Sequence, residues 1–250
     1  MASTERRVEA IFHAEVASMN EVKAVTQLIL IRHGRTILNA AGRFRGRQDV
    51  PLDGVGRTEA DALARRLKMS FNITQLLTSP LRRAVETADA IAKTFGLPTI
   101  VEPRLNDLDY GNWQGLTPEE TAAAYPRQYR EWERTPEKVL LPGGGCLAWQ
   151  IDTALRLVQE VVVDYPGETI GLVTHQVVCQ GLICALLGIP LRQFRRITHA
   201  PAAFSVFETH PSGWTIVALN DTCHLGPFAG QSRSMDYWGG QRASSTAQVP

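Results

Sequence analysis

Short apolar runs alternate along the chain with longer segments of helical periodicity. The runs have the length and the β-branched content typical of strands, and they occupy residues 27–31, 75–78, 99–102, 169–174, 204–209 and 214–220. Apolar positions that recur every three or four residues predict helices over residues 56–69, 81–96, 147–168 and 177–190. The last of these helices is almost entirely apolar, which predicts that it is buried.

This alternation predicts an α/β fold. Strands that alternate with helices form a mostly parallel sheet with helices on both faces, which is a three-layer sandwich. The last two runs are separated by the short segment HPSG at residues 210–213, so we expect an antiparallel hairpin at one edge of the sheet. Residues 23–229 contain no repeat and no low-complexity linker, and we predict that they form one domain.

The two ends of the chain differ from that domain. In residues 1–22 the apolar positions are interrupted by charged residues such as Glu9 and Glu15. The segment therefore lacks the apolar stretch of a signal peptide and is predicted to be a loosely ordered extension. Met19 lies just before the organised region and is an alternative start of the protein. Residues 230–250 are rich in Gly, Ser, Gln and Ala, which predicts a disordered tail.

Charge and composition exclude several classes of partner. The formal net charge is +1, which argues against nucleic acid because proteins that bind it usually carry a clustered basic excess. No segment approaches the roughly 18 to 20 apolar residues that a membrane span needs. Four cysteines without a CxxC pair indicate reduced, buried thiols, and we predict a cytoplasmic protein. The oligomeric state is open, with a homodimer as one alternative.

Basic side chains follow two of the predicted strands. Arg32 and His33 come directly after the first strand, and His175 follows the strand at 169–174. Gly34 is expected to let the backbone turn sharply after His33. Ligands of such sheets bind beyond the carboxyl ends of the strands. We therefore expect both histidines to face one crevice.

The second predicted strand leads to a further arginine. Ser79 follows this strand and is expected to cap a helix that begins at Pro80. Arg83 would then lie about one turn inside the helix and face back toward the strand ends. Its neighbour Arg82 is expected to be solvated.

Two histidines and two arginines at strand ends suit a phosphate group. A guanidinium matches phosphate oxygens bidentately, and a neutral imidazole can attack phosphorus. A metal ion is the rival ligand. It needs three or four His, Cys or carboxylate donors, and the adjacent arginines would repel it. Phosphate is therefore the predicted ligand, and no metal site is expected.

Four segments resemble the histidine phosphatase superfamily, which is also called phosphoglycerate mutase-like. In chain order they are LILIRHGRTILNAAGRFRGRQDVPLDGVGRTEA at 28–60, SPLRRAVETA at 79–88, LNDLDYGNWQG at 105–115 and LVTHQ at 172–176. The tripeptide RHG alone would be a weak signal, whereas four motifs in the order of the family are specific. The resemblance covers roughly residues 27–209 and implies a phosphoglycerate mutase-like sandwich.

The resemblance implies phosphoryl transfer in two steps. His33 would attack the phosphate while a carboxylic acid protonates the leaving oxygen, and water or a second hydroxyl would then take the phosphoryl group from His33. Arg32, Arg83 and His175 would bind the phosphate. His175 would act as a cation, helped by the negative charge of the phosphate. No metal and no diffusible cofactor is required.

The predicted proton donor departs from the commonest pattern of the family. The loop usually carries glutamate at the position of Asp107, and Asp109 lies two residues further on. Aspartate is one methylene shorter, but its proton chemistry is equivalent. We predict Asp107 as the acid, with Asp109 as the alternative.

Further positions are candidates for substrate contact or for a structural role. Asn39 and Arg45 are predicted to bind substrate, although Asn39 could instead tie down its loop and Arg45 could be a surface charge. Gln176 stands where the family commonly has glycine, which puts substrate contacts in doubt. Trp113 is expected to pack the acid-bearing loop rather than to bind ligand.

Three functions remain after this comparison. The first is a metal-independent phosphomonoesterase that acts on a small phosphorylated metabolite, the second is a cofactor-dependent phosphoglycerate mutase, and the third is a non-catalytic relative that binds phosphate. The mutases carry a longer insertion after the acid loop, with adjacent arginines that hold the substrate carboxylate. Here the segment is short, and Arg127, Arg130 and Arg134 are singly spaced. The phosphatase is therefore the predicted function.

Overall fold

The computed structural model describes residues 25–228, which contain a six-stranded sheet. In chain order the strands are β1 (Gln27–Arg32), β2 (Gln75–Thr78), β3 (Ile100–Val101), β4 (Thr169–Thr174), β5 (Phe204–His210) and β6 (Gly213–Asp221). All six apolar runs are therefore strands, although the third is only two residues long. The predicted extension 1–22, with Met19, and the predicted tail 230–250 lie outside the described residues.

The sheet combines parallel and antiparallel pairs. Its strand order is β3-β2-β4-β1-β5-β6. The four strands from β3 to β1 are parallel, whereas β5 runs antiparallel to β1 and β6 runs antiparallel to β5. The predicted mostly parallel sheet with an antiparallel edge is confirmed. Because β1 and β4 are neighbours, their carboxyl ends lie side by side.

The described residues also contain seven α-helices. They are α1 (Ile37–Ala40), α2 (Gly54–Ser70), α3 (Arg82–Phe95), α4 (Pro118–Ala124), α5 (Pro126–Arg134), α6 (Leu147–Asp164) and α7 (Gln176–Leu186). The predicted helices correspond to α2, α3, α6 and α7. The last two end earlier than predicted, because Pro166 follows α6 and Gly188, with a positive φ of 66°, follows α7. No helix among the described residues is long and apolar enough to cross a membrane.

Three helices, α1, α4 and α5, were not predicted by periodicity. The helix α5 buries Trp132 alone, so it lacks an apolar stripe. The start of α4 does carry a local signal, since Thr117 and Glu120 form a capping box around Pro118. The Thr117 hydroxyl accepts a hydrogen bond from the Glu120 amide at 3.2 Å, and the Glu120 carboxylate accepts one from the Thr117 amide at 2.9 Å.

Alternate residues of β1 face opposite layers of the sandwich. Leu28 and Leu30 pack in one core with residues of α6 and α7, such as Val158 and Leu182. Ile29 and Ile31 pack in a second core with residues of α2 and α3. This alternation follows from the two-residue period of a strand. The sheet is therefore covered by helices on both faces, as predicted.

A third apolar cluster supports the loops at the carboxyl end of the sheet. Trp113 is fully buried, and its ring centroid lies 5.4 Å from that of Phe44 and 6.1 Å from that of Trp132. The rings of Phe44 and Tyr110 are 4.8 Å apart. The cluster joins the loop that contains Phe44 to the loop that contains Asp107. Trp113 therefore packs the acid-bearing loop, as expected.

The cysteines are free thiols in different surroundings. Cys146, Cys179 and Cys184 are buried, whereas Cys223 is exposed. The expectation that all four thiols are buried is therefore wrong for Cys223, which lies just beyond the end of the edge strand β6.

Candidate active site

The two predicted histidines meet at the carboxyl ends of β1 and β4. Arg32, the last residue of β1, is paired with Thr174, the last residue of β4, so the residues that follow them are neighbours. The ring centroids of His33 and His175 lie 5.2 Å apart. Both side chains are buried. The sheet register therefore delivers both imidazoles to one pocket.

Arg83 lies between the two imidazoles and connects them to the surrounding loops. Its Nε donates to His33 Nε2 and to His175 Nδ1, each at 3.2 Å. Its Nη1 and Nη2 donate to the carbonyl oxygens of Gln48 and Gly46, each at 2.8 Å. Burial lowers the pKa of Arg83 to about 10, so the guanidinium stays charged at neutral pH. Arg83 is thus a fixed cation at the centre of the site.

The hydrogen bonds of His33 determine its tautomer. His33 Nδ1 lies 2.7 Å from the carbonyl oxygen of Gly34, and a carbonyl can only accept, so Nδ1 carries the proton. Nε2 therefore presents its lone pair toward Arg83. Burial, together with the charges of Arg83 and Arg32, lowers the pKa of His33 well below its ordinary value of 6.5. His33 is a neutral imidazole with an unprotonated Nε2, which is the form that attacks phosphorus.

His175 has the opposite tautomer because Arg83 donates to its Nδ1. Its Nε2 then donates to the hydroxyl oxygen of Ser79 at 2.8 Å. Burial and the charge of Arg83 lower the pKa of His175 well below 6.5. The imidazole is therefore neutral in the protein without ligand. Its expected role as a cation requires the negative charge of a bound phosphate.

Ser79 differs from its expected role. The helix α3 begins at Arg82 with Leu81 as its N-cap, and no side chain caps it. Ser79 instead continues the carboxyl end of β2, because its amide donates to the carbonyl of Val173 at 3.0 Å. Its hydroxyl accepts a hydrogen bond from His175. The predicted helix cap at Ser79 is wrong because the helix begins at Arg82. The Ser79 hydroxyl accepts only a long hydrogen bond from the Leu81 amide, at 3.4 Å, and a shorter one from His175.

The structure brings Asp107 to the histidines and leaves Asp109 outside. Asp107 Oδ2 accepts from Arg83 Nη2 at 3.1 Å and lies 3.9 Å from His175 Nδ1. Burial raises the pKa of Asp107 above 3.8, against the opposing charges of Arg83 and Arg45. The side chain of Asp109 is 32% exposed and lies 3.9 Å from Arg47. Asp107 is therefore the carboxyl group placed to exchange a proton in this pocket.

Arg32 is held by the segment that precedes the antiparallel strand β5. It is fully buried, and its Nη1 donates to the carbonyl oxygen of His199. Its charge lowers the pKa values of both His33 and His175. Arg32 ends β1 directly before His33, so its charge lies at the same end of the sheet as the two imidazoles.

The two predicted substrate contacts differ in their surroundings. Arg45 is buried, and its Nη2 donates to Gln176 Oε1 at 3.1 Å, so the surface-charge alternative for Arg45 is wrong. Asn39 Oδ1 accepts from the Thr36 amide at 3.0 Å and from the Thr36 hydroxyl at 2.8 Å. These contacts make Asn39 part of a capping box at the start of α1. The described contacts of Asn39 thus tie down its loop.

A family model for the histidine phosphatase superfamily (branch 1) matches residues 28–222, which include all the residues that form this pocket. The chain belongs to the histidine phosphatase superfamily. The motifs that resemble this family therefore predicted it correctly.

Relatives of this histidine phosphatase include proteins named as phosphatases and proteins named as probable phosphoglycerate mutases. A phosphoserine phosphatase of Hydrogenobacter thermophilus is 34% identical over 82% of this chain and 96% of that protein. A probable phosphoglycerate mutase of Yersinia enterocolitica is 32% identical over 80% of this chain and 94% of that protein. The structure of a mycobacterial glucosyl-3-phosphoglycerate phosphatase aligns with a TM-score of 0.71 at 28% identity, over 78% of this chain and 99% of that chain. These findings confirm a phosphoric monoester hydrolase of small phosphorylated metabolites and retain the mutase as the alternative.

Two features of this histidine phosphatase site could not be predicted from the sequence. The contact of Ser79 with His175 depends on β2 and β4 being neighbours in the sheet, which no local pattern reveals. The need for glycine at position 34 has a different reason from the expected turn. A Cβ atom there would lie 2.6 Å from the carbonyl oxygen of Gly56, so Gly34 allows the loop after β1 to approach the first turn of α2.

Proposed function

We propose that the protein is a metal-independent phosphomonoesterase that forms a phosphohistidine at Nε2 of His33. The observation that carries this proposal is the buried Nε2 lone pair of His33, which faces Arg83 at 3.2 Å within reach of a second cation and a protonatable carboxyl group. A panel of phosphomonoesters, assayed for release of inorganic phosphate and for the identity of the organic product, tests the proposal.

The first step transfers the phosphoryl group to the enzyme. His33 Nε2 forms a bond to phosphorus as the bond between phosphorus and the ester oxygen breaks. Asp107 gives its proton to that oxygen, which leaves as an alcohol. Arg32, Arg83 and His175 stabilise the charge on the equatorial oxygens of the transition state.

The second step returns the enzyme to its starting form. The Asp107 carboxylate takes a proton from water, whose oxygen attacks the phosphorus atom. The bond between phosphorus and His33 Nε2 breaks, inorganic phosphate leaves, and Nε2 regains its lone pair. Covalent catalysis thus divides one difficult displacement into two easier ones.

A phosphoglycerate mutase is the second candidate, because a mutase is among the relatives. A mutase would pass the phosphoryl group to a second hydroxyl in place of water. The arginines that follow the acid loop do not favour this outcome. Arg127 has an 83% exposed side chain and pairs with Glu131 on α5, and Arg130 donates to the carbonyl of Pro126 in the same helix. These side chains are bound within α5 and face solvent.

Incubation with 3-phosphoglycerate separates the three functions. We expect inorganic phosphate and glycerate as products. Formation of 2-phosphoglycerate without release of phosphate would identify a mutase. Binding of phosphate without turnover of any ester would identify the non-catalytic relative.

Activity is expected to survive removal of divalent cations. The positive charge around the phosphate would come from Arg32, Arg83 and His175, and these cationic groups would repel a metal ion. Among residues 25–228, no group of three or more His, Cys, Asp or Glu side chains could hold a metal ion. We expect the initial rate with excess chelator to stay within about twofold of the untreated rate. Loss of activity that a divalent cation restores would contradict this.

The activity on alkyl phosphates is expected to fall as the pH rises. The productive form has a neutral His33 and a protonated Asp107. The pKa of His33 is lowered, so its proton interferes only at low pH. The pKa of Asp107 is raised above its ordinary value of 3.8. Asp107 therefore loses the proton that it would donate as the pH rises through this raised pKa. Above it, kcat/KM should fall by about tenfold per pH unit.

An aryl phosphate with a good leaving group provides the control for this profile. It needs no proton from Asp107, so its kcat/KM should lack the alkaline decline. Parallel profiles for the two substrates, measured from about pH 4 to pH 9, would show that Asp107 does not control the alkaline limb.

We also infer a cytoplasmic location, because all four cysteines are free thiols, which is typical of proteins in reducing compartments. A homodimer remains a prediction, and sedimentation velocity of the full chain would test it.

A further inference from the structure

Arg45 is a buried cation that the proposed chemistry does not use. It lies between α1 and α2, next to Phe44, whose ring is anchored against Tyr110 and Trp113. Arg45 is only 9% exposed, and its buried Nε has no hydrogen-bond partner among the described residues. Burial of an unsatisfied donor of a charged group costs free energy. An anionic ligand would remove this cost.

The partner of Arg45 orients it without neutralising it. Its Nη2 donates to the side-chain oxygen of Gln176 at 3.1 Å. Gln176 directly follows His175, so this contact ties the guanidinium to the residue next to that histidine. The charge of Arg45 contributes to the lowered pKa values of both His33 and His175. Arg45 therefore lies next to the pocket in which the phosphoryl group would bind, and its hydrogen-bond partner Gln176 is a neutral amide.

The charges of the pocket indicate what kind of group Arg45 would bind. Arg32, Arg45 and Arg83 contribute three positive charges, His175 adds a fourth when phosphate is bound, and Asp107 is uncharged when it is ready to donate its proton. A phosphate monoester carries close to two negative charges at neutral pH. An excess of positive charge would then remain. A carboxylate of the substrate would offset part of it, and the planar guanidinium fork matches a carboxylate bidentately.

We propose that Arg45, positioned by Gln176, binds a carboxylate of the substrate, so that the enzyme selects phosphomonoesters that carry a carboxylate close to the phosphate. This inference rests on the proposed phosphomonoesterase activity and names its substrate class. Arg45 is then a residue for specificity, and Gln176 is a positioning residue that acts through it.

Two pairs of esters that differ in the carboxylate test the proposal. The first pair is 3-phosphoglycerate and glycerol 3-phosphate, in which a hydroxymethyl group replaces the carboxylate. The second pair is phosphoserine and phosphoethanolamine, which lacks the carboxylate. Both members of each pair are primary alkyl phosphates, so their leaving groups make similar demands on Asp107. We expect the wild-type kcat/KM to favour the carboxylate member by about 10- to 100-fold, as for a charge-assisted contact in a buried site.

Three variants test whether Arg45 and Gln176 cause the preference for the carboxylate member of each pair. Arg45→Gln should abolish the preference, because kcat/KM should fall by about 10- to 100-fold more for the carboxylate member of each pair than for the member that lacks the carboxylate. Gln176→Glu places a carboxylate against Arg45 and should abolish the preference as well, even though Arg45 itself is retained. The matched control is Arg47→Gln, because Arg47 lies two residues away with a 48% exposed side chain. This variant should keep the preference.

The outcomes separate this inference from the proposed function. Equal wild-type kcat/KM values within both pairs would overturn the carboxylate site and leave the phosphomonoesterase intact. Slower turnover of both members by the same factor in Arg45→Gln would place Arg45 on the phosphoryl group and would also overturn it. Release of phosphate from none of the esters would overturn the proposed function together with the inference. The wild-type ratios decide even if a variant does not fold.

Discussion

Replacement of His33 with alanine is expected to abolish turnover of every phosphomonoester. The variant removes the only atom proposed to bond to phosphorus, the Nε2 atom that faces Arg83 at 3.2 Å. Loss of a covalent nucleophile typically costs several orders of magnitude in rate. We therefore expect kcat to fall below about a hundredth of the wild-type value, measured as release of inorganic phosphate.

The same substitution should also abolish covalent labelling. Wild-type enzyme mixed with a radiolabelled ester and quenched in alkaline denaturant should retain label on Nε2 of His33, because a phosphohistidine survives base and is hydrolysed in acid. Nδ1 should carry no label, since it donates its proton to the Gly34 carbonyl. His210→Ala is the control, because this histidine is exposed at the end of β5. Label that persists in a folded His33→Ala protein would contradict the assignment.

Asp107→Asn is expected to slow the hydrolysis of alkyl phosphates and to spare activated aryl phosphates. An alkoxide is strongly basic and needs a proton as its bond to phosphorus breaks, whereas a nitrophenolate leaves without one. General acids typically contribute about 10²- to 10⁴-fold. We expect a gap of that size between the two classes of substrate, measured as the ratio of their kcat/KM values in variant and wild type. The amide keeps the shape of the side chain, so packing should change little.

Asp109→Asn provides the matched control on the same loop. The Asp109 carboxylate accepts a hydrogen bond from the Gly111 amide at 2.9 Å and lies near Arg47, away from the imidazoles. The Asp109→Asn substitution should therefore change kcat/KM only slightly for both classes of substrate. The reverse pattern in the two variants would make Asp109 the proton donor. Wild-type behaviour of both variants on alkyl phosphates would remove this loop from the proposed chemistry.

Most of the fold could be predicted because local patterns agree with the tertiary arrangement. The alternation of short apolar runs with helical segments predicted the strands, the four long helices and the antiparallel edge. Errors occurred where burial gives no periodic signal. The helix α5 is held by one buried tryptophan, Trp132, and β3 is shorter than its predicted run, with only two exposed residues paired to β2. Such elements depend on neighbours that are distant in sequence.

The candidate site could be predicted in its membership but not in its contacts. The residue types and their positions, at strand ends or in a short family motif, indicated phosphate chemistry for Arg32, His33, Arg83 and His175. Ser79 was assigned to a helix end because serine before proline is a frequent capping pattern. The tertiary structure assigns its hydroxyl to a histidine from another strand, at 2.8 Å.

The sequence by itself determined the family, the α/β architecture and the identity of the four cationic or imidazole groups. It left open which of two aspartates meets them and whether Arg45 is a surface charge. Only the tertiary structure decided these points. Asp107 and Asp109 are separated by one residue, and the direction of each side chain depends on how the loop packs against Trp113. The burial of Arg45 depends on Gln176, which is 131 positions away in the chain. Spacing along a sequence determines local geometry, whereas burial and charge pairing arise from contacts between distant segments.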